Sequence, residues 1–204
     1  MLHAETVHKE RLRVQKLQQE MLLLNEQLMV QSQHDALTGL PNRAYLNNYA
    51  EETLSKALKN QVNFGIEILD IDFFKSVNDT YGHMEGDHYL TAVADLLSRI
   101  TEEYSNVFAA RYGGDEFVLV YYDKSADDIK EIMHQLKLST VSVKLPAISQ
   151  LGEDHITLSQ GCCNRIPEPL NRLWDYLARA DTVLYDVKKK GKNNYKVSER
   201  FKKA

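Results

Sequence analysis

Residues 111 to 117 read Arg-Tyr-Gly-Gly-Asp-Glu-Phe and run directly into Val-Leu-Val-Tyr-Tyr. Gly113 and Gly114 lack side chains and tolerate positive φ, so they suit a tight hairpin turn against which a bulky ligand can lie. Asp115 and Glu116 supply oxygen ligands of the kind that hard divalent cations prefer. Taken alone, a Gly-Gly-Asp turn is simply a hairpin; a second acidic segment changes its weight. Leu69-Asp70-Ile71-Asp72-Phe73-Phe74-Lys75 reads as an apolar strand ending in carboxylates, held on rigid backbone as a metal site requires. If the strands that carry Asp70 and Asp115 are neighbours, the two carboxylates can hold a pair of Mg²⁺ ions about 4 Å apart, the spacing used in phosphoryl and nucleotidyl transfer.

Two further groups carry chemistry of their own. Asn78 and Asp87 flank the turn in Asn78-Asp79-Thr80-Tyr81-Gly82-His83-Met84-Glu85-Gly86-Asp87 and can converge. A carboxylate accepting from guanine N1–H and N2–H₂, with an amide alongside, reads guanine and rejects adenine, which lacks that donor pair. Either residue singly would serve as a turn or N-cap residue. In Tyr185-Asp186-Val187-Lys188-Lys189-Lys190-Gly191-Lys192-Asn193, Lys188 and Lys192 are four apart and project from one side of a helix end. There they can act as point charges on a triphosphate, or merely complement the helix dipole.

The elements that must position these groups follow from periodicity and punctuation. Leu-Thr-Gly-Leu-Pro-Asn-Arg at 37–43 is a turn-rich linker, followed by a helix with Leu46, Ala50, Leu54 and Leu58 at fourfold spacing. Phe64 to Ile71 reads as a strand, Phe73 to Asp79 as a short turn-rich segment, and a second helix buries Leu90, Val93, Leu97 and Ile100. Val107 to Ala110 and Glu116 to Tyr122 are the arms of the hairpin. Ser125 with Asp128 makes a capping box for a third helix, with strand-like pieces around 140–146 and 155–161 after it. The last helix starts near Asn171 and points Leu173, Leu177, Ala180, Leu184 and Val187 inward, with Gly191 as its C-cap. Alternation without a strict βαβ repeat predicts a mixed sheet covered by helices.

Residues 1–33 contain no Gly or Pro, and Val7, Val14, Leu17, Met21, Leu24 and Leu28 fall on heptad a and d positions, interrupted at Glu10 and Gln31. So narrow an apolar seam on a polar helix predicts a parallel two-stranded coiled coil rather than a helix packed on its own domain. The chain therefore divides into a dimerisation helix over 1–33 and a second domain, carrying the acidic, glycine and lysine motifs, over 34–204.

The chain has 204 residues, 43% hydrophobic and 26% charged, with a formal charge of −4. Residues 188–204 hold eight Lys or Arg against one Glu, leaving −11 on the rest. A short basic tail on an acidic body, with only Tyr195 and Phe201 as stacking aromatics, argues against a nucleic-acid partner. Cys162 and Cys163 are adjacent and lack zinc-site spacing. No apolar run approaches a membrane span and the N-terminus has no signal-peptide core, so the expected location is the cytoplasm.

Together these blocks resemble the GGDEF family of diguanylate cyclases. The resemblance covers about residues 34–197: Asp-x-Leu-Thr-Gly-Leu-Pro-Asn-Arg at 35–43, Asp70 to Asp87, the signature at 113–117, and Tyr185 to Asn193, in the family's order and with family-like spacing. It implies an α+β fold like the nucleotidyl-cyclase and polymerase palm core, with a mostly antiparallel central sheet of about five strands flanked by helices. The implied reaction joins two GTP molecules into cyclic di-3′,5′-GMP with loss of two pyrophosphates. By resemblance, Asp70, the carbonyl of Ile71, Asp115 and Glu116 hold two Mg²⁺ ions, for which Mn²⁺ can substitute, and Asp115 accepts the proton of the attacking 3′-hydroxyl. Lys75 stabilises charge developing on the phosphates. Phe73, Phe74, Gly113 and Gly114 lie along the substrate. Asn78 and Asp87 read guanine, with His83 nearby, and Lys188 and Lys192 hold phosphates. Lys192 departs from the family's usual arginine, which loses bidentate phosphate binding but keeps the charge. The family's Arg-x-x-Asp product-inhibition site is replaced by Tyr104 and Val107, so strong feedback through that site is not expected.

Each such domain holds one GTP, so the product requires two domains facing each other as a homodimer, and a coiled coil would raise their effective concentration. The family commonly carries a sensor or membrane domain ahead of such a helix. The alternative to catalysis is a silent member of the family that binds GTP or signals through dimer contacts. A purely structural dimerising module is a further alternative, and it would show no GTP-dependent thermal shift.

Overall fold

Phe64-Gly-Ile-Glu-Ile-Leu-Asp-Ile71 is buried at every position, as only a central strand covered on both faces can be. In the computed structural model, which describes residues 11, 13–21, 33–143 and 155–201, this segment is β1 (Phe64–Ile71). Among the described residues it lies third in a five-stranded sheet of order β2-β3-β1-β4-β5. The other strands are β2 (Val107–Gly113), β3 (Glu116–Tyr122), β4 (Leu158–Arg165) and β5 (Tyr195–Ser198). All neighbours pair antiparallel except β4 and β5, which run parallel. The expected α+β architecture, a mostly antiparallel sheet of five strands flanked by helices, is the one observed.

Residues 13–21 are helical and are labelled α1. The remaining helices are α2 (Arg43–Asn60), α3 (Phe74–Tyr81), α4 (His83–Glu103), α5 (Ala126–Thr140) and α6 (Leu173–Lys189). Even-numbered β1 residues Phe64, Ile66 and Ile68 pack with Leu46 and Ala50 of α2 and Leu177 and Leu184 of α6. Odd-numbered Leu69 and Ile71 pack with Leu90 and Leu97 of α4 and Ile129 and Met133 of α5. This two-sided burial follows from the period of two along a strand.

Local chemistry explains most boundaries. Asn42 caps α2 by accepting from the N–H groups of Ala44 and Tyr45. Ser125 and Asp128 form the expected capping box at α5. The last helix begins at Leu173 and its C-cap is Lys190, with Gly191 one residue beyond at φ 116°.

Three further sequence expectations differ from the structure. The segment after Phe73 is a helix, α3, rather than a turn-rich stretch, because Val77 is drawn into the core at 1% exposure. Residues 140–143 alternate like a strand, yet the N–H groups of Val141, Ser142 and Val143 bond back to Leu138, Ser139 and Thr140, closing α5 in a turn. The rest of that expected strand, 144–146, lies outside the described residues. The strand expected at 155–161 begins at Leu158 and continues to Arg165.

Of the heptad positions, Val14, Leu17 and Met21 are described; all are helical and exposed, at 53%, 55% and 67%. Val7, Glu10, Leu24, Leu28 and Gln31 lie outside the described residues.

Candidate active site

Asp70 is the penultimate residue of the central strand, on the α6 side of the sheet. Its register partner across to β3 is Glu116, and the Ile71 N–H donates to the Asp115 carbonyl at 3.4 Å, so the acids of the two segments meet at one sheet end. The turn that carries Asp115 is tight, with Gly113 at φ 153° and Gly114 at φ 57°, both values that favour glycine. A cation lies against these acids: Lys188 Nζ is 2.7 Å from Asp70 Oδ2.

The position of Lys188 follows from a glycine on the sheet. A Cβ on Gly161 would lie 2.2 Å from the backbone nitrogen of Leu184 and 2.7 Å from the Ala180 carbonyl oxygen, so α6 rests on β4 backbone to backbone. That close approach carries the C-terminal turn of α6 over Asp70.

Burial pushes the Asp70 carboxyl up to about 6, reinforced by Asp115 and opposed by the hydrogen bond from Lys188. Burial likewise raises Glu116, with Asp115 adding to the rise and Lys188 opposing it. Crowded, partly desolvated carboxylates of this kind favour a nearby cation. Among the described residues no three His, Cys or acidic side chains converge on one ion-sized space, and Asp70 faces the Lys188 ammonium. The donors are all oxygen and already attract a positive charge, which fits a hard divalent cation.

The turn is clamped from behind. Arg111 donates through Nε and Nη2 to the Gly114 carbonyl, at 3.2 and 2.8 Å, and through Nη1 to Asp35 Oδ1 at 2.9 Å. Asp35 also accepts from the Thr38 N–H and hydroxyl. Burial works to raise the Asp35 carboxyl, but hydrogen bonds from Thr38 and Arg111 outweigh it and hold it below its ordinary value. The segment before α2 is thus tied directly to the diglycine turn.

Beyond β1 the chain turns through Phe73, which has φ 62° and is exposed. Lys192 Nζ sits 3.8 Å from the centre of the Phe73 ring. Phe74 packs partly into the core, and Lys75 projects exposed from the first turn of α3. Asn78, on α3, has a buried Oδ1 without a hydrogen-bond partner. That oxygen would lie 2.0 Å from a Cβ on Gly86. Asp87 is the next residue along α4 and is exposed, as is His83 at the start of that helix. The structure therefore groups Asp70, Ile71, Asp115, Glu116 and Lys188 at one point, joins Phe73 to Lys192, and sets Asn78 against Gly86, the residue before Asp87. It records no direct contact from Lys75, His83, Asn78 or Asp87 to the carboxylates.

A family model described as "Diguanylate cyclase, GGDEF domain" matches residues 32–194. The chain belongs to the diguanylate cyclase GGDEF-domain family. It is 35% identical over 167 residues to diguanylate cyclase DgcZ of Escherichia coli (strain K12), covering 81% of this chain and 53% of that protein. To diguanylate cyclase A of Treponema denticola it is 31% identical over 179 residues, covering 86% of this chain and 47% of the relative. The chain thus spans about half the length of these curated relatives. Among solved structures, the coiled coil and GGDEF domain of DgcB from Caulobacter crescentus in complex with c-di-GMP aligns with a TM-score of 0.82 at 29% identity, covering 93% of this chain and 98% of that one.

Sequence reasoning about the GGDEF domain missed two positioning residues. Arg111 was signalled only by a charge two residues ahead of the glycines. Asp72 was hidden in its motif: it is 5% exposed and accepts from the Thr157 and Ser159 hydroxyls at 3.1 and 2.8 Å and from the Asn193 N–H at 2.9 Å. It holds the loop of Lys192 against the end of β1.

Proposed function

We propose that this GGDEF domain is a diguanylate cyclase that condenses two GTP molecules into cyclic di-3′,5′-GMP and two pyrophosphates. The observation that carries the reading is the meeting of Asp70, Asp115 and Glu116 at one sheet end with Lys188 2.7 Å from Asp70. The names of the relatives and the c-di-GMP in the DgcB crystal support it.

In this reading the 3′-oxygen of one GTP bonds to the α-phosphorus of the other, and the bond from that phosphorus to the pyrophosphate oxygen breaks. A second such step, with the roles of the two nucleotides exchanged and a second pyrophosphate lost, closes the ring. Asp115 takes the proton from the attacking hydroxyl. Two Mg²⁺ ions, held by Asp70, the Ile71 carbonyl, Asp115 and Glu116, would neutralise phosphate charge when bound. Lys75, Lys188 and Lys192 attract the phosphates, while the Phe73–Phe74 and Gly113–Gly114 backbones let them approach. The Asp87 carboxylate accepts from guanine N1–H and N2–H₂, with the Asn78 amide alongside and His83 nearby. Positioning and charge neutralisation do most of the work in such transfers.

Because each domain presents one such site, the active form is a homodimer. The exposed seam of Val14, Leu17 and Met21 supports pairing through a coiled coil. Among the described residues no helix is long and apolar enough to cross a membrane, and a cytoplasmic setting suits a GTP-consuming reaction. Val107 is buried and Tyr104 carries no charge, which supports weak product feedback at the position of the family's inhibitory motif.

Incubation with GTP and Mg²⁺ at several protein concentrations, with products separated by chromatography, tests the reading. Cyclic di-GMP should form at a rate rising faster than linearly with protein, and Asp115→Ala should lower it at least roughly a hundredfold. No dinucleotide at any concentration that permits dimers would overturn the proposal in favour of a silent nucleotide-binding module.

A further inference from the structure

Lys188 is expected to hold phosphate, yet in this structure its ammonium bonds the metal-binding carboxylate Asp70, at 2.7 Å. Both side chains are sheltered, Asp70 at 12% exposure and Lys188 at 33%, so the pair is not a loose surface contact. Asp72, the other acid on this end of β1, is already committed to Thr157, Ser159 and Asn193. Lys192, the second phosphate lysine, rests on the Phe73 ring. Lys188 acts on both Asp70 and Glu116, to which Asp115 adds negative charge, while Asp181 adds negative and Arg43 positive charge at Glu116.

We propose that Lys188 is a built-in counter-ion that guards Asp70, so that the carboxylate becomes a metal ligand only when nucleotide phosphates draw the lysine away. The proposal rests on the nucleotide-binding reading of this site. A divalent cation arriving alone must displace an ammonium already bonded to Asp70, and the displaced ammonium must then remain beside the new positive charge. A triphosphate changes both conditions. It offers Lys188 several oxygens in exchange for one, and a lysine's flexible four-carbon stem lets the charge move without backbone rearrangement. Once Lys188 has moved, Asp70 is a sheltered carboxylate beside Asp115 and Glu116 without a counter-ion, which is the condition that favours a divalent cation. Metal and nucleotide are thereby coupled, and by linkage the coupling is reciprocal.

Phosphate oxygens would also ligate a metal directly, so coupling in the wild type alone decides nothing. The deciding measurement is Mn²⁺ binding in the absence of nucleotide, read by paramagnetic resonance of free Mn²⁺. Lys188→Met and Lys188→Gln should each bind Mn²⁺ about tenfold more tightly than wild type, a gain of about 1.4 kcal/mol. Lys188→Arg, which keeps the charge, should match wild type, as should Lys189→Met on the neighbouring exposed position. Adding Asp70→Asn to Lys188→Met should abolish the gain. Thermal melts confirm that each variant is folded, and the two neutral variants provide independent readings.

Equal or weaker Mn²⁺ binding in both neutral variants would overturn the proposal, and so would a gain that survives Asp70→Asn. The same samples titrated with guanosine 5′-[α,β-methylene]triphosphate separate the two levels of inference. If Mn²⁺ tightens in the neutral variants but wild type does not bind the analogue, the guard stands and the nucleotide reading falls. If the analogue binds while Mn²⁺ affinity is unmoved, the guard falls alone.

Discussion

Replacing Gly86 with alanine should stabilise this domain and weaken the guanine binding proposed for it. Gly86 lies inside the first turns of α4, where glycine costs about 1 kcal/mol relative to alanine. The added methyl would lie 2.0 Å from Asn78 Oδ1, 3.0 Å from its Cγ and 3.2 Å from Phe74 Cζ. The obstructing atoms are the tip of one flexible side chain and the edge of a ring, so the helix keeps its place and Asn78 swings aside. Asn78 Oδ1 has no hydrogen-bond partner to hold it. With the helix-propensity gain intact, the melting temperature should rise by about 2–4 °C for a domain of this size. Without the Asn78 amide, one polar group on the base is left unmatched, at a cost of about 1–3 kcal/mol, or roughly 5- to 150-fold in affinity. The two effects have opposite signs, which sets them apart from general damage. Thermal unfolding without ligand and calorimetric titration with the α,β-methylene GTP analogue measure them separately. Binding within about twofold of wild type in a stable Gly86→Ala protein would refute the assignment of Asn78 to the base.

Glu67 is wholly buried, accepts a 2.5 Å hydrogen bond from the Tyr121 hydroxyl, and is pushed by burial from its ordinary 4.5 to about 7. Because the folded value is the higher one, stability is fully present below about pH 4.5 and is lost as pH rises through about 7. Between pH 5 and 8 this residue alone withdraws roughly 2–3 kcal/mol, so the stability difference between Glu67→Gln and wild type should widen by about that amount in denaturant titrations. Arg111→Ala should cost about 1–3 kcal/mol through the loss of its bonds to Asp35 and Gly114. Its turnover should fall further than Asp35→Asn does, because only Arg111 touches the catalytic turn; equal losses would refute that role. Gly161→Ala should destabilise by more than about 2 kcal/mol and lower Lys188-dependent nucleotide affinity, since its methyl meets α6 backbone rather than a mobile side chain; an unchanged melting temperature would refute the close packing.

Short-range pattern accounts for what was legible in the residues alone. The bounds of β1, the two arms of the hairpin, the Ser125–Asp128 capping box and the order of the acidic, glycine and lysine motifs all depend on neighbours within about one turn or one pleat of each other. Those local signals also placed Asp70 and the Asp115–Glu116 pair on strands that could be adjacent. They failed where long-range packing outweighs local preference. Val77 made α3 a helix by entering the core, and backbone bonding at 141–143 overrode a strand-like alternation. The contacts that make the site distinctive join distant parts of the chain: Lys188 on Asp70, Arg111 between Asp35 and Gly114, and Asp72 holding Asn193. No periodicity encodes these pairings, because each depends on how closely two elements approach. That approach is set by details such as the missing side chain of Gly161, which lets α6 lie against the sheet and its lysine reach the acid.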